Sequence, residues 1–127
     1  MSKVAAYNWV VFQATCPVCG RAARMRAQAH VASSFDGDER GRFAHREYAV
    51  GQPFHWWPES HRAFSAWRDA DVVTPDLGDP DSVEEACYTE CSECQAELYA
   101  VVAFRVNVPV SIKEVGPESA WPVRYPR

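Results

Sequence analysis

A chain of 127 residues with 47% hydrophobic and 13% aromatic residues can bury a core, and this composition excludes a disordered protein. The net charge of −4 disfavours a general nucleic-acid-binding role. The charge is also uneven, because positions 16–46 carry six arginines against three acidic residues, whereas positions 59–97 carry eleven acidic residues against two arginines. We therefore expect one globular domain with an acidic second half.

The N-terminal segment bears on localisation. Residues 4–12 are mostly apolar and faintly resemble a short signal peptide, but Asn8 and Gln13 interrupt the apolar stretch. No run approaches the roughly 20 apolar residues that a membrane-spanning helix needs. Five cysteines, an odd number, suit metal binding in a reducing compartment better than a disulfide framework. We therefore expect a cytoplasmic protein that does not enter the membrane.

Three strands are predicted in the first half of the chain. Residues 6–15 are rich in aromatic and β-branched side chains. Residues 23–31 alternate between apolar and polar with a period of two, which is typical of a strand with one buried face. An Asp-Gly turn signal within 33–41 precedes a strand at 42–50, which hairpin logic pairs antiparallel with the preceding strand. The alternation places Ala23, Met25, Ala27, Ala29 and Val31 in the core and Arg24, Arg26, Gln28 and His30 outside.

The middle of the chain is predicted to be irregular. Residues 54–58 form a compact aromatic cluster, and 59–70 have the features of a short helix. Residues 71–81 combine prolines, a glycine and four aspartates, which indicates an exposed acidic loop.

The last third is predicted to return to strand. Residues 96–108 are strongly β-prone and favour a central strand, after which Pro109 indicates a break or a sheet edge. Residues 110–115 give a final alternating strand. The proline-rich tail at 117–127 is expected to be extended, and we assign 1–116 to a single metal-stabilised β domain.

The strongest motif is a pair of C-x-x-C turns separated by 71 residues. In such a turn, backbone N–H groups stabilise the first thiolate, and a residue with positive φ follows the second cysteine. Gly20 suits that position in the first turn, whereas Gln95 occupies it in the second at a cost of about 1 kcal/mol. The two motifs read Cys16-Pro17-Val18-Cys19 and Cys91-Ser92-Glu93-Cys94.

The first turn resembles the zinc knuckle of zinc ribbons and rubredoxin-like domains. The resemblance covers about ten positions, and it implies a metal site and local hairpins but no particular activity. The spacing of the knuckles is much longer than in simple zinc ribbons. We therefore expect a mainly β fold, in which a zinc-ribbon-like base closes an antiparallel sheet or small open barrel with one or two short helices.

Four sulfur ligands favour one structural Zn²⁺ per chain, because they complete a tetrahedral shell and leave no position to activate water. Iron uses the same ligands and is the alternative metal. Buried free thiols and a redox C-x-x-C pair are the alternatives without a bound metal. The predicted ligands are Cys16, Cys19, Cys91 and Cys94. The fifth cysteine, Cys87, is interpreted as a small buried side chain, because neighbouring glutamates would raise its pKa.

A second candidate site lies in the aromatic cluster. His55 and His61 are weak candidates for acid–base groups, and Trp56 and Trp57 could form a ligand-stacking wall. A purely structural role for these residues is favoured, with one tryptophan in the core and solvated histidines. The competing cover for this surface, within the chain or across a homodimer interface, is the tail with Trp121 and Tyr125.

A basic face is the third feature. On the predicted hairpin, the arginines could bind an anion or an acidic partner, but pairing with the chain's own acidic half is the more economical interpretation. The residues concerned are Arg24, Arg26, Arg42 and Arg46, together with His30 and His45.

Three functions follow. A structural-zinc module that binds another protein is favoured, because the metal shell is closed and no nucleophile–base pair stands at a telling spacing. A small enzyme with a small-molecule pocket at residues 55–61 is the first alternative. A nucleic-acid-binding zinc ribbon is the second, and the net charge disfavours it; this alternative would use Arg21, Arg24, Arg26, Arg42 and Arg46.

Overall fold

Six strands form a mixed sheet that curls into a half-barrel in the computed structural model, which describes residues 7–29, 46–54, 82–105 and 108–125. The predicted mainly β fold is confirmed, and these residues contain no α-helix. The sheet order is β3-β1-β2-β4-β5-β6. The elements are β1 (Asn8–Thr15), β2 (Ala22–Ala29), β3 (Glu47–Ala49), β4 (Ser82–Glu90), β5 (Glu97–Arg105), β6 (Val108–Pro117) and a 3-10 helix, η1 (Glu118–Ala120).

The strand pairing corrects one prediction. The strand expected at 42–50 appears as β3, but β3 pairs parallel with β1 and not antiparallel with β2. The predicted hairpin from 21 to 50 is therefore wrong. β2 pairs with β1 along one edge and with β4 along the other, so neither edge of β2 is left for β3. Tyr48 of β3 is buried in this arrangement, and its ring stacks on that of Phe54 with the ring centroids 4.3 Å apart.

The alternation predicted for β2 is confirmed. Met25 and its apolar neighbours at alternate positions face the inner core, whereas Arg24 and Arg26 are exposed on the outer face. The same core receives Val10 from β1 and Phe104 from β5. His30 and Val31 lie outside the described residues.

The two ends of the curled sheet approach each other at one point. The Gly51 N–H, just after β3, donates a 2.7 Å hydrogen bond to the Pro109 carbonyl oxygen at the start of β6. β6 is an edge strand, as Pro109 indicated, and β5 lies between β4 and β6 as the predicted internal strand.

The tail folds back onto the outer face of the sheet. It is not wholly extended, because η1 forms one turn directly after β6. Beyond it, Tyr125 is buried and its hydroxyl donates a 2.5 Å hydrogen bond to Glu84. Trp121 lies against Tyr99, with ring centroids 6.1 Å apart. The tail thus covers a small second cluster, which also contains Ala86 and Val101.

The loop at 33–41, the helix at 59–70 and the acidic loop at 71–81 lie outside the described residues. Within the described ranges, no helix is long and apolar enough to cross a membrane.

Candidate metal centre

The sheet topology brings the two C-x-x-C turns together. The first turn joins β1 to β2, and the second joins β4 to β5. β2 and β4 are antiparallel neighbours, so the start of β2 lies beside the end of β4. Two turns with 71 residues between them in sequence therefore meet at one end of the half-barrel.

Each turn adopts the knuckle geometry expected from its sequence. In the first, the N–H groups of Val18 and Cys19 point at the Cys16 sulfur, at 3.3 and 3.5 Å. In the second, the N–H groups of Glu93 and Cys94 point at the Cys91 sulfur, at 3.3 and 3.4 Å. Such N–H contacts stabilise negative charge on a thiolate. The matching distances show that both knuckles present their first sulfur in the same way.

The residue that follows each knuckle turns into the left-handed region. Gly20 has φ +76° and Gln95 has φ +59°, so the position normally held by glycine is strained in the second knuckle. The N–H group of each residue donates a 2.9 Å bond to the carbonyl oxygen of the first cysteine of its own turn. The Gln95 side chain also donates to the Ser92 carbonyl oxygen at 3.1 Å, which helps hold the strained conformation.

The four sulfurs lie at distances that suit one tetrahedral ion. Cys16 and Cys94 are 3.8 Å apart at sulfur, as are Cys19 and Cys91, and all four sulfurs lie within 4.8 Å of one another. Four sulfurs bound at about 2.3 Å to one zinc would stand about 3.8 Å apart at the corners of a tetrahedron. The cluster could therefore hold one metal ion.

The surroundings of the cluster shift the pKa values of its thiols in different directions. Cys16 and Cys91 belong to the buried core, and Cys19 and Cys94 pack against it. Burial opposes ionisation of the Cys16 thiol, but the N–H groups of Cys19 and Val18 outweigh it and lower the pKa to about 7. The Ala96 backbone favours the Cys94 thiolate, but burial and the three neighbouring sulfurs outweigh it and raise the pKa of Cys94 to about 11. Four thiolates packed this closely need a positive ion to compensate their charge.

One ion pair links the two knuckles on the surface. Arg21 lies 3.8 Å from Glu93, and both side chains are largely exposed, so the pair adds little stability by itself. Arg24 and Arg26 pair with Glu47. These two arginines thus have an intramolecular partner, as expected, although it lies in β3 and not in the later acidic segment.

Cys87 stands apart from the cluster on the inner side of β4. Only 1% of it is exposed, and its thiol donates to the Glu85 carbonyl oxygen at 3.6 Å. Burial, with a smaller contribution from Glu85, raises the pKa of the Cys87 thiol well above its ordinary range. The interpretation of Cys87 as a small buried side chain is confirmed.

Sequence reasoning overlooked two features of β4. Glu85 is buried to 1% exposure between two inward-facing positions, and its charge masked the alternation that would have identified the strand. The second feature is Tyr88, which lines a groove on the outer face of the sheet together with Trp9 of β1. The period-two pattern of β1 could have placed Trp9 on this outer face, but nothing in the sequence placed Tyr88 beside it. The pocket candidates His55, Trp56, Trp57 and His61 lie outside the described residues, as does Arg42.

No protein-family model matches this sequence, and neither a curated protein nor a solved structure matches it. The candidate metal centre is therefore defined by its own geometry.

Proposed function

We propose that this protein is a small cytoplasmic module in which one structural Zn²⁺ stabilises a β domain that binds another protein. The observation that carries the proposal is the set of four cysteine sulfurs within 4.8 Å of one another, two pairs of which are 3.8 Å apart. When bound, zinc would hold the two knuckles together. Zinc is favoured over iron because it is the commoner occupant of such a set.

The donor set supports a structural rather than a catalytic metal. Four sulfurs complete the coordination of zinc and leave no site for water or substrate. Cys87 adds no support for catalysis, because its buried thiol has a raised pKa and is a poor nucleophile. A role in binding therefore fits these residues better than a reaction does.

Nucleic-acid binding receives less support from the arginines. Arg21 pairs with Glu93, and Arg24 and Arg26 share Glu47, so these arginines leave a small local positive charge and not the extended basic surface that a nucleic acid needs. The net charge of −4 would also repel a polyanion such as a nucleic acid.

Chelation tests the structural role of the metal. Because the metal joins chain segments far apart in sequence, its removal should unfold the domain. We expect loss of the β-sheet circular dichroism signal on chelation, and insoluble or molten protein for Cys16→Ser and Cys94→Ser. Cys87→Ala is the matched control, since it removes a buried cysteine outside the cluster and should keep one metal per chain. A chelated protein that melts like the metal-loaded form would contradict a structural metal.

Isolation of the native complex tests the binding role. We expect the protein in extracts of its source cells to elute in a stable complex above its own mass of 14.3 kDa. The partner, once purified, should bind the zinc-loaded protein directly in calorimetry. Elution as a free monomer, with no direct partner, would contradict the proposed function.

A further inference from the structure

A groove of about 280 Å³ lies on the outer face of the sheet, beside the second knuckle. It lies beside the junction of β2 and β4, where, within the described strands, Gln28 pairs with Tyr88 and the Thr89 hydroxyl donates to the Arg26 carbonyl oxygen at 2.7 Å. One wall is formed by side chains of β1 and β2. The other is formed by the end of β4 and the knuckle. The lining residues used below are Trp9, Arg24, Arg26, Gln28, Tyr88 and Glu90.

The two arginines on the first wall are held in place. The Arg26 guanidinium lies 4.1 Å from the ring centroid of Trp9, a cation–π contact. Arg26 and Arg24 donate to the two carboxylate oxygens of Glu47, at 3.0 and 3.2 Å. Two guanidinium groups thus share one carboxylate and keep one net positive charge between them. Each guanidinium has five N–H donors, so the two groups together have donors left to bind a second carboxylate.

The geometry of this wall matches an extended chain. Arg24 and Arg26 are two residues apart on a strand, about 6.6 Å along its axis, which is the spacing of same-side residues in any extended segment. Trp9 and Tyr88 provide half-buried aromatic surface on either side. Tryptophan, tyrosine and arginine are the residues that dominate binding energy in protein interfaces. Glu90 lies on the far wall, so the attraction for an anion is confined to the β1–β2 side.

We propose that this groove docks an extended, acidic segment of a partner protein, whose carboxylates at alternate positions bind Arg24 and Arg26. The inference rests on the proposed protein-binding function and specifies its surface. Glu47 provides the internal precedent, because it is the carboxylate that the two arginines already bind. Residues between these acids point to the opposite wall of the groove, so the partner segment needs an apolar residue there to cover Tyr88.

A titration with a synthetic peptide tests the position of the site. The probe is an acetylated and amidated peptide, Ala-Glu-Val-Glu-Val-Glu-Ala, added to the zinc-loaded, isotope-labelled full chain and followed by amide NMR shifts. We expect the shifts to concentrate at Gln28, Tyr88 and Ser92. The same peptide with glutamine in place of glutamate should bind more weakly. No shift at these amides, or equal affinity for both peptides, would overturn the proposal.

Variants test the chemistry of the groove. Arg24→Gln and Arg26→Gln should each weaken peptide binding by roughly two- to fivefold, the upper part of the range expected for an exposed ion pair. Arg124→Gln is the matched control, since Arg124 is also an exposed arginine paired with a glutamate, and it should leave the affinity unchanged. Glu47→Gln should strengthen binding, because it frees both guanidinium groups. Unchanged affinity in the two groove arginine variants, or weaker binding in Glu47→Gln, would overturn the proposal.

The outcomes separate this inference from the proposed function. A thymidine oligonucleotide that shifts the same amides at lower concentration than the peptide would assign the groove to nucleic acid and overturn it as a protein-docking site. A native complex that survives Arg24→Gln and Arg26→Gln would leave the protein-binding function standing and overturn the groove. Peptide binding in the groove without any native complex would support the groove chemistry and contradict the proposed function.

Discussion

Gly116 is the position where an added methyl group should have the clearest structural effect. A Cβ there would lie 2.4 Å from Cε2 of Tyr99, and 2.7 Å from both its Cζ and its hydroxyl oxygen. The ring cannot move away easily, because the hydroxyl donates to Glu114 at 2.8 Å and Trp121 lies against the ring. Gly116→Ala should therefore force the tail and β6 apart locally.

Overpacking of this kind costs about 1–3 kcal/mol. For 127 residues, an unfolding entropy of about 2.1 cal/mol/K per residue converts this loss into a Tm lower by roughly 4–11 °C. The assay is thermal unfolding of the zinc-loaded protein, followed by circular dichroism. Ser111→Ala, an exposed change in the same strand, is the control and should stay within about 0.5 kcal/mol of the wild type.

The background Tyr99→Leu makes the test specific, because leucine lacks all three contacting atoms. In that background Gly116→Ala should become neutral or stabilising by up to about 1 kcal/mol, since alanine lowers the entropy of the unfolded chain. The same loss in both backgrounds, or no loss in the wild type, would refute the close contact.

The remaining predictions concern the knuckles, the tyrosines and the odd cysteine. Gly20→Ala should lower the free energy of unfolding by about 1–2 kcal/mol through backbone strain alone, because φ is +76° and no atom lies close enough to the new Cβ to clash with it. Gln95→Ala should cost less, about 0.5 kcal/mol, because the strain is already present there and only the exposed side-chain hydrogen bond to Ser92 is lost; equal losses in denaturant melts would contradict this reasoning. Burial, followed by hydrogen bonds to glutamates, raises the pKa of Tyr99 and Tyr125, so the unfolded state loses these protons first and stability should be complete below about pH 10 and fall above it. Urea midpoints measured against pH should show this fall, and it should become smaller in Tyr99→Phe/Tyr125→Phe without vanishing, because burial also raises the pKa of Tyr88 to about 12. An unchanged fall in that variant would exclude the two hydroxyls as a source. Cys87 should resist iodoacetamide in the native protein and react after denaturation, because its thiol is buried and has a raised pKa; rapid native alkylation, measured by mass spectrometry, would disprove this.

The features that were predictable from sequence are local ones. The C-x-x-C spacing, Pro17 and Gly20 specify a knuckle within five residues, and the alternation from Ala23 specifies the faces of β2 within eight. The left-handed conformation of Gln95 also followed from its position in the second turn. Each of these signals depends on backbone geometry that neighbouring residues determine.

The features that were missed depend on distant parts of the chain. β3 pairs parallel with β1, a contact that no hairpin rule can indicate because a parallel pair needs a crossover connection. β4 was not identified as a strand, since Glu85 faces inward and Ala86 is buried on the outer face beneath the tail. The outer groove likewise requires β1, β2 and β4 to be placed side by side before its residues can be grouped.

X-ray absorption at the metal edge of the purified protein tests the central claim most directly, because it identifies the element and its ligands together. We predict one zinc per chain, surrounded by four sulfurs at about 2.3 Å and by no nitrogen or oxygen ligand. An iron edge would retain the four-cysteine centre and contradict zinc. A shell containing oxygen or nitrogen, or protein without bound metal, would contradict a closed structural site formed by Cys16, Cys19, Cys91 and Cys94.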